Sequence, residues 1–218
     1  MSPSEILRAP VTSLLLGANL LVFGAETVER TFLGGSLFPW FSLDRETLLS
    51  GEWWRLLTHA FLHAGLLHLA MNMMALWFTG PMVERVLGWW RYLVLFFAGA
   101  VGGGLLQALI AGERDLVGAS GAVCALLAGF ATLFPRLEIT ALLFFVIPLK
   151  MRAATLGWIV AGGSLLCWIL GIEPEIGHLA HLGGAVSGFL LCLLYRAAGV
   201  DPVAAVRREI LSTPPPVP

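Results

Sequence analysis

Charge is what this sequence has least of. Only 12% of its 218 residues are charged, about half the 25% usual in soluble domains, and this excludes an ordinary water-facing globule. The formal net charge of -1 leaves no basic excess, which argues against nucleic acid as a partner. Cysteine is scarce as well. Cys124, Cys167 and Cys192 all lie inside apolar runs, so they read as small buried residues and not as a disulfide framework or a zinc site. Met1 to Pro10 shows neither a signal-peptide cleavage pattern nor an arginine-rich transit segment, so the first apolar run is expected to be retained. There is no internal repeat. What is abundant is apolar surface: 58% of residues are hydrophobic and the mean hydropathy is +0.85. These values define a polytopic membrane protein, with one domain the natural reading at this length.

Six apolar runs stand out, at Val11–Ala25, Leu62–Thr79, Tyr92–Ile110, Ser120–Phe134, Ala153–Leu170 and His178–Tyr195. Several fall short of the roughly 20 residues of a lipid-exposed span, which fits a bundle whose helices shield one another. Leu137 to Leu149, bracketed by Pro135 and Pro148, is too short to cross and is expected to be an interfacial or re-entrant connection. With six spans, nine of the 13 basic residues fall on one side and four (Arg30, Arg45, Arg55 and Arg114) on the other. Basic residues favour the cytoplasm, so both termini are expected there. The loop from Glu26 to Arg55 then lies outside, and its aromatics, including Trp40, Trp53 and Trp54, suit the membrane interface. The domains expected are a cytoplasmic segment 1–10, a transmembrane domain 11–198 and a cytoplasmic tail 199–218. The mixed charges and prolines from Pro202 onward predict disorder in that tail.

The polar residues within these runs carry the functional signal, because ionisable groups in a span are costly. The run from Ser120 to Phe134 covers roughly 22 Å against a hydrocarbon core of about 30 Å. With Arg136 at one membrane surface, Ser120 lies below the other, nearer the outer face. His68 and Asn72 are spaced i,i+4 on one helix face. His178 and His181 open the sixth run. Alternating topology puts Ser120, His68, Asn72 and His181 at one depth, where they have the parts of an acyl-transfer site. His181 can take the proton of Ser120. His68, Asn72 and the backbone N–H of Ser120 can donate to an oxyanion. No carboxylate lies at that depth, so a dyad is expected and not a triad. Gly184 and Gly188 on the sixth run, and Gly121 and Ala125 on the fourth, have the small-residue spacing that lets backbones approach. The plainer reading makes Ser120 a helix N-cap and His68 and Asn72 interhelical glue. His59 and His63 are expected at the interface. Their i,i+4 spacing lacks the glutamate that the metalloprotease motif places after the first histidine, so no metal is expected.

Taken together, Trp54-Arg55, His68-Leu-Ala-Met-Asn72, Glu84-Arg-Val-Leu-Gly88, Gly118-Ala-Ser-Gly121 and Ala180-His181-Leu-Gly-Gly184 resemble, in order and spacing, the rhomboid intramembrane serine proteases. The resemblance runs from the first span to the sixth. It implies an all-α membrane protein, a six-transmembrane-helix bundle of rhomboid type with a long interfacial first outer loop. It implies Ser120 as nucleophile, His181 as base, His68 and Asn72 at the oxyanion, and Gly118, Gly121, Cys124 and Gly184 shaping the site. The family often has an aromatic one turn after the serine, packed on the catalytic histidine; here that place holds Cys124. The expected partners are membrane proteins with a transmembrane helix and the bilayer itself, with no cofactor. The expected location is a prokaryotic plasma (inner) membrane. The rival reading is a non-catalytic protein of the same fold that binds or escorts client helices.

Overall fold

The computed structural model describes residues 9–111, 115–143 and 147–205. The segment expected to be cytoplasmic at 1–8, the charged Gly112–Arg114 and most of the C-terminal tail lie outside the described residues. Helix α1 spans Pro10–Val28 and winds on through a π-helical turn, Glu29–Leu33. Short helices α2 (Phe38–Phe41), α3 (Arg45–Leu49) and α4 (Arg55–Thr58), then a 3-10 turn at His59–Phe61, make up the first loop. Four long helices follow: α5 (Leu66–Leu87), α6 (Trp89–Ile110), α8 (Ala153–Leu170) and α9 (His178–Ala197). The short α7 (Ser120–Leu133) lies between α6 and α8, and an antiparallel hairpin, β1 (Glu138–Leu143) and β2 (Ile147–Arg152), joins α7 to α8. Among the described residues, five helices are long and apolar enough to cross a membrane, and α7 is a sixth, shorter apolar helix.

Three boundaries differ from the sequence expectation. The first loop begins after Leu33 and not at Glu26, because Glu26 is buried within the helix, where its carboxylate accepts from Ser36 Oγ at 2.9 Å and Leu37 N at 2.7 Å. Helix α5 starts four residues later than Leu62 and runs through the buried Pro81 to end at Gly88, whose φ of 77° no longer suits a helix. The connection expected at Leu137 to Leu149, interfacial or re-entrant, is an antiparallel hairpin that reaches Arg152.

Small residues set the packing. Gly184 lies against the backbone of Gly121, Gly188 against that of Ala125, Gly103 against the carbonyl of Ala180, and Gly99 against Ala122 and Ala125. Helices α6, α7 and α9 therefore meet backbone to backbone, the close approach that small residues permit without a hydrophobic driving force between helices. Arg196, at the end of α9, donates to the carbonyl of Thr132 near the end of α7 at 3.0 Å, so these two helices run the same way. Tyr195 donates to the carbonyl of Arg91 at the start of α6 at 3.4 Å, so α6 runs opposite to α9. Glu84, near the end of α5, accepts from Val11 N, Thr12 N and Thr12 Oγ1 at 2.7–2.9 Å. It thereby satisfies the free N–H groups at the start of α1 from a neighbouring helix.

Candidate active site

The site begins with the segment that leads into α7. Leu116 exchanges both backbone hydrogen bonds with Leu43 of the first loop, at 2.7 and 3.1 Å. Gly118 N donates to the carbonyl of His59 at 2.9 Å. Gly118 has φ of 121°, and a Cβ there would come within 2.6 Å of His68 Cε1 and 2.7 Å of Nε2. Only glycine meets both demands, and its bareness lets the His68 imidazole lie flush against the turn. The chain then enters α7 with Ala119 as N-cap and Ser120 as the first helical residue.

That placement bears on the plainer reading of Ser120. An N-cap serine returns its oxygen to the N–H of a residue two or three positions on. Ala119 holds that position instead, and the half-buried Ser120 makes no side-chain hydrogen bond among the described residues. Its own backbone N–H, at the first turn, has no intrahelical acceptor.

Gly121, next to Ser120, touches the carbonyl of Ala180, next to His181, at 3.3 Å from its ideal Cβ position. One turn on, Gly184 touches Gly121. The first turns of α7 and α9 are thus in backbone contact, and Ser120 and His181 flank the contact. No hydrogen bond joins the two side chains among the described residues. In the free state such catalytic pairs are commonly loose and tighten with substrate. The His178 and His181 rings stand edge to face, 6.2 Å apart, and His178 Nε2 is 2.8 Å from the carbonyl of Ile172, which ties down the loop before α9.

On α5, His68 lies beside Gly118. Asn72, buried one turn below, donates one amide hydrogen to the carbonyl of His68 at 3.0 Å and has a second left to give. Cys124 is buried with Ala128 and with Ala185, one turn beyond His181, beside Val160 and Ala161 of α8. It fills space between α7, α8 and α9.

Three groups take parts that the sequence did not show. His59 and His63, expected at the interface, are buried within the protein, each 1% exposed. The His63 ring stands 5.1 Å from that of His68, at an interplanar angle of 66°. His59 Nε2 is 3.3 Å from the carbonyl of Ala100. Burial, only partly offset by that carbonyl, lowers the His59 pKa to about 4, so it is neutral near pH 7. Gln107, a lone amide in α6, accepts from Ala180 N at 3.2 Å and steadies the residue before His181. An amide inside an apolar run was the signal for it. Arg55 is buried and pins the first loop, donating to Glu52 at 2.6 Å and to the carbonyls of Ser42 and Pro39 at 2.8 and 2.9 Å.

The fold and the clustering of buried polar groups at one end of it define a polytopic helical membrane protein with an intramembrane polar site. The chain matches the Rhomboid domain over residues 50–198 and belongs to the rhomboid family. It is 36% identical over 177 residues to RHOMBOID-like protein 4 of Arabidopsis thaliana, covering 76% of this chain and 41% of that protein. It is 30% identical over 204 residues to rhomboid protease GluP of Bacillus subtilis, covering 92% and 37%. It is 30% identical over 191 residues to rhomboid protease GlpG of Yersinia enterocolitica, covering 86% and 64%. The chain thus spans less than two thirds of the length of each of these relatives.

Proposed function

We infer that this protein is an intramembrane serine endopeptidase that cleaves membrane proteins in or near a transmembrane helix through a Ser120–His181 dyad. The observation that carries this reading is the backbone contact of Gly121 with Ala180 and Gly184, between a serine free of any capping role and a histidine on the facing helix. His181 takes the hydroxyl proton of Ser120 as Oγ attacks the scissile carbonyl carbon. The carbonyl oxygen becomes an oxyanion facing Ser120 N–H, His68 and the free amide hydrogen of Asn72. Collapse of this adduct passes the proton from His181 to the leaving amine. Water, activated by the same histidine, then releases the acyl group from Ser120. A helical peptide bond is shielded, so substrates with helix-weak residues near the scissile bond are favoured. The names of GluP and GlpG as proteases support the same activity.

The alternative, a rhomboid-like protein that binds client helices without cutting them, draws on the absence of a Ser120–His181 hydrogen bond. The test is incubation of detergent-purified protein with a generic transmembrane substrate. Residues acting as a unit lose function non-additively. Ser120→Ala and His181→Ala should each bring cleavage to background, and the double variant should be no worse. A fluorophosphonate should label Ser120 in the wild type and fail on both variants. Cleavage that survives Ser120→Ala ends the serine-protease reading, and an unlabelled, inactive wild type supports the client-binding one.

A further inference from the structure

The hairpin between α7 and α8 has two unlike faces. Its register pairs Glu138 with Arg152, Thr140 with Lys150, Ile139 with Met151 and Ala141 with Leu149. Side chains alternate along a strand and paired residues share a side. One face therefore carries Glu138, Thr140, Lys150 and Arg152 with the exposed Pro148 towards its tip, and the other Ile139, Ala141, Ile147, Leu149 and Met151. A two-stranded ribbon is marginal in water without something to cover its apolar face. Here the protein covers only the base, where Ile139 packs on the main core. Further out, Leu149 is 39% exposed and Ile147 51%.

Position and charge say what covers the rest. Ala153 N donates to the carbonyl of Leu137 at 2.9 Å and Ala154 N to that of Pro135 at 3.3 Å. The hairpin is therefore fixed where α7 ends and α8 begins, at the level of a bilayer surface, on the side that holds nine of the 13 basic residues. Arg136, Lys150 and Arg152 are all exposed there against the single acid Glu138. We propose that the hairpin docks on that surface of the bilayer. Its apolar face enters the headgroup–acyl boundary, and its basic side chains meet the phosphates of anionic phospholipids. Long Lys and Arg stems bridge the thickness of the ribbon, and each basic group near an anionic surface is worth roughly a fivefold gain in partitioning. Docking fixes the depth of α7, at whose other end Ser120 lies.

The test uses the full chain with Cys124, Cys167 and Cys192 replaced by alanine, and a nitroxide on either Ile147→Cys or Thr140→Cys. It is reconstituted in phosphatidylcholine vesicles with and without phosphatidylglycerol. In the anionic vesicles the label at 147 should collide several-fold less with a water-soluble nickel chelate, and more with oxygen, than the label at 140. The contrast should weaken in pure phosphatidylcholine. Arg136→Gln with Lys150→Gln should lose most of that lipid dependence while keeping the helical circular dichroism. Equal accessibility at 140 and 147, or a contrast indifferent to phosphatidylglycerol, overturns the proposal. A contrast that grows with the protein-to-lipid ratio assigns the face to a second copy and overturns it too.

Discussion

Gly118 concentrates two constraints in one residue. Its positive φ costs a residue with a Cβ about 1–3 kcal/mol, and that Cβ would meet His68 at 2.6 Å. The imidazole can yield only by leaving its place against Gly118. Gly118→Ala should therefore lower kcat by at least tenfold with a smaller change in KM, because the loss falls on groups proposed to meet the oxyanion. An unchanged kcat would show that His68 does not act there. His59 makes a second case at this scale. Its ordinary pKa of 6.5 falls to about 4 in the fold, so between these values the unfolded chain binds more protons than the folded one. The stability from its neutral, buried state is full above pH 6.5 and is lost as pH falls towards 4, by at most about 3 kcal/mol. Thermal unfolding across that window should be steeper in the wild type than in His59→Gln, which keeps a donor for the Ala100 carbonyl but does not titrate. Parallel curves would place the pH sensitivity elsewhere.

Between elements, the close seam of α7 and α9 contrasts with the open surface of α8. A Cβ at Gly188 would run into the backbone of Ala125, whereas one at Gly162 meets nothing within 4 Å. Gly188→Ala should destabilise by about 1–3 kcal/mol through overpacking. Gly162→Ala should be neutral or gain up to about 1 kcal/mol of helix propensity. Melting temperatures in one detergent would compare them, and equal shifts would mean that the seam is looser than described. This seam was legible in the sequence, because small residues every four positions in two apolar runs have few other uses. The six helices were legible too, since each needs a long apolar run. The end of α5 was not: Pro81 signals a break, yet in a packed bundle neighbours take up the groups it frees, and the helix runs on to Gly88. The hairpin escaped for a related reason. Pro148 argues against a strand, but a two-stranded ribbon gives each strand a free edge where proline is tolerated. The polar cluster of Ser120, His68, Asn72 and His181 stood out against apolar neighbours. The roles of Arg55 and of the Leu43–Leu116 pairing did not, because they depend on how the loop between α1 and α5 folds back on α6 and the start of α7.

At the scale of the whole molecule, the open matter is how many times the chain crosses the bilayer. Five helices have the length to cross, and α7, with 14 residues, does not have it alone. If α7 merely dips into the membrane, the termini lie on opposite sides; if it counts as a crossing, they share one. The packing favours the second. Helix α7 runs parallel to α9 over its length, with Ser120 at the His181 end and Thr132 at the Arg196 end. Against α8 it runs the other way, the cluster of Cys124 and Ala128 meeting Val160 and Ala161, and Ala131 meeting Gly157. On the six-crossing reading, which we propose, α7 carries the chain from one surface to the other, and its 14 residues leave Ser120 below the outer surface. With six crossings the basic residues divide nine to four, and we propose that this turns both termini towards the cytoplasm. Reporters fused after Ala198 should therefore read cytoplasmic, and reporters inserted between Gly34 and Asp44 external. An external signal after Ala198 would mean five crossings. It would also part the starts of α5, α7 and α9 from a common depth and dissolve the site that their polar residues share.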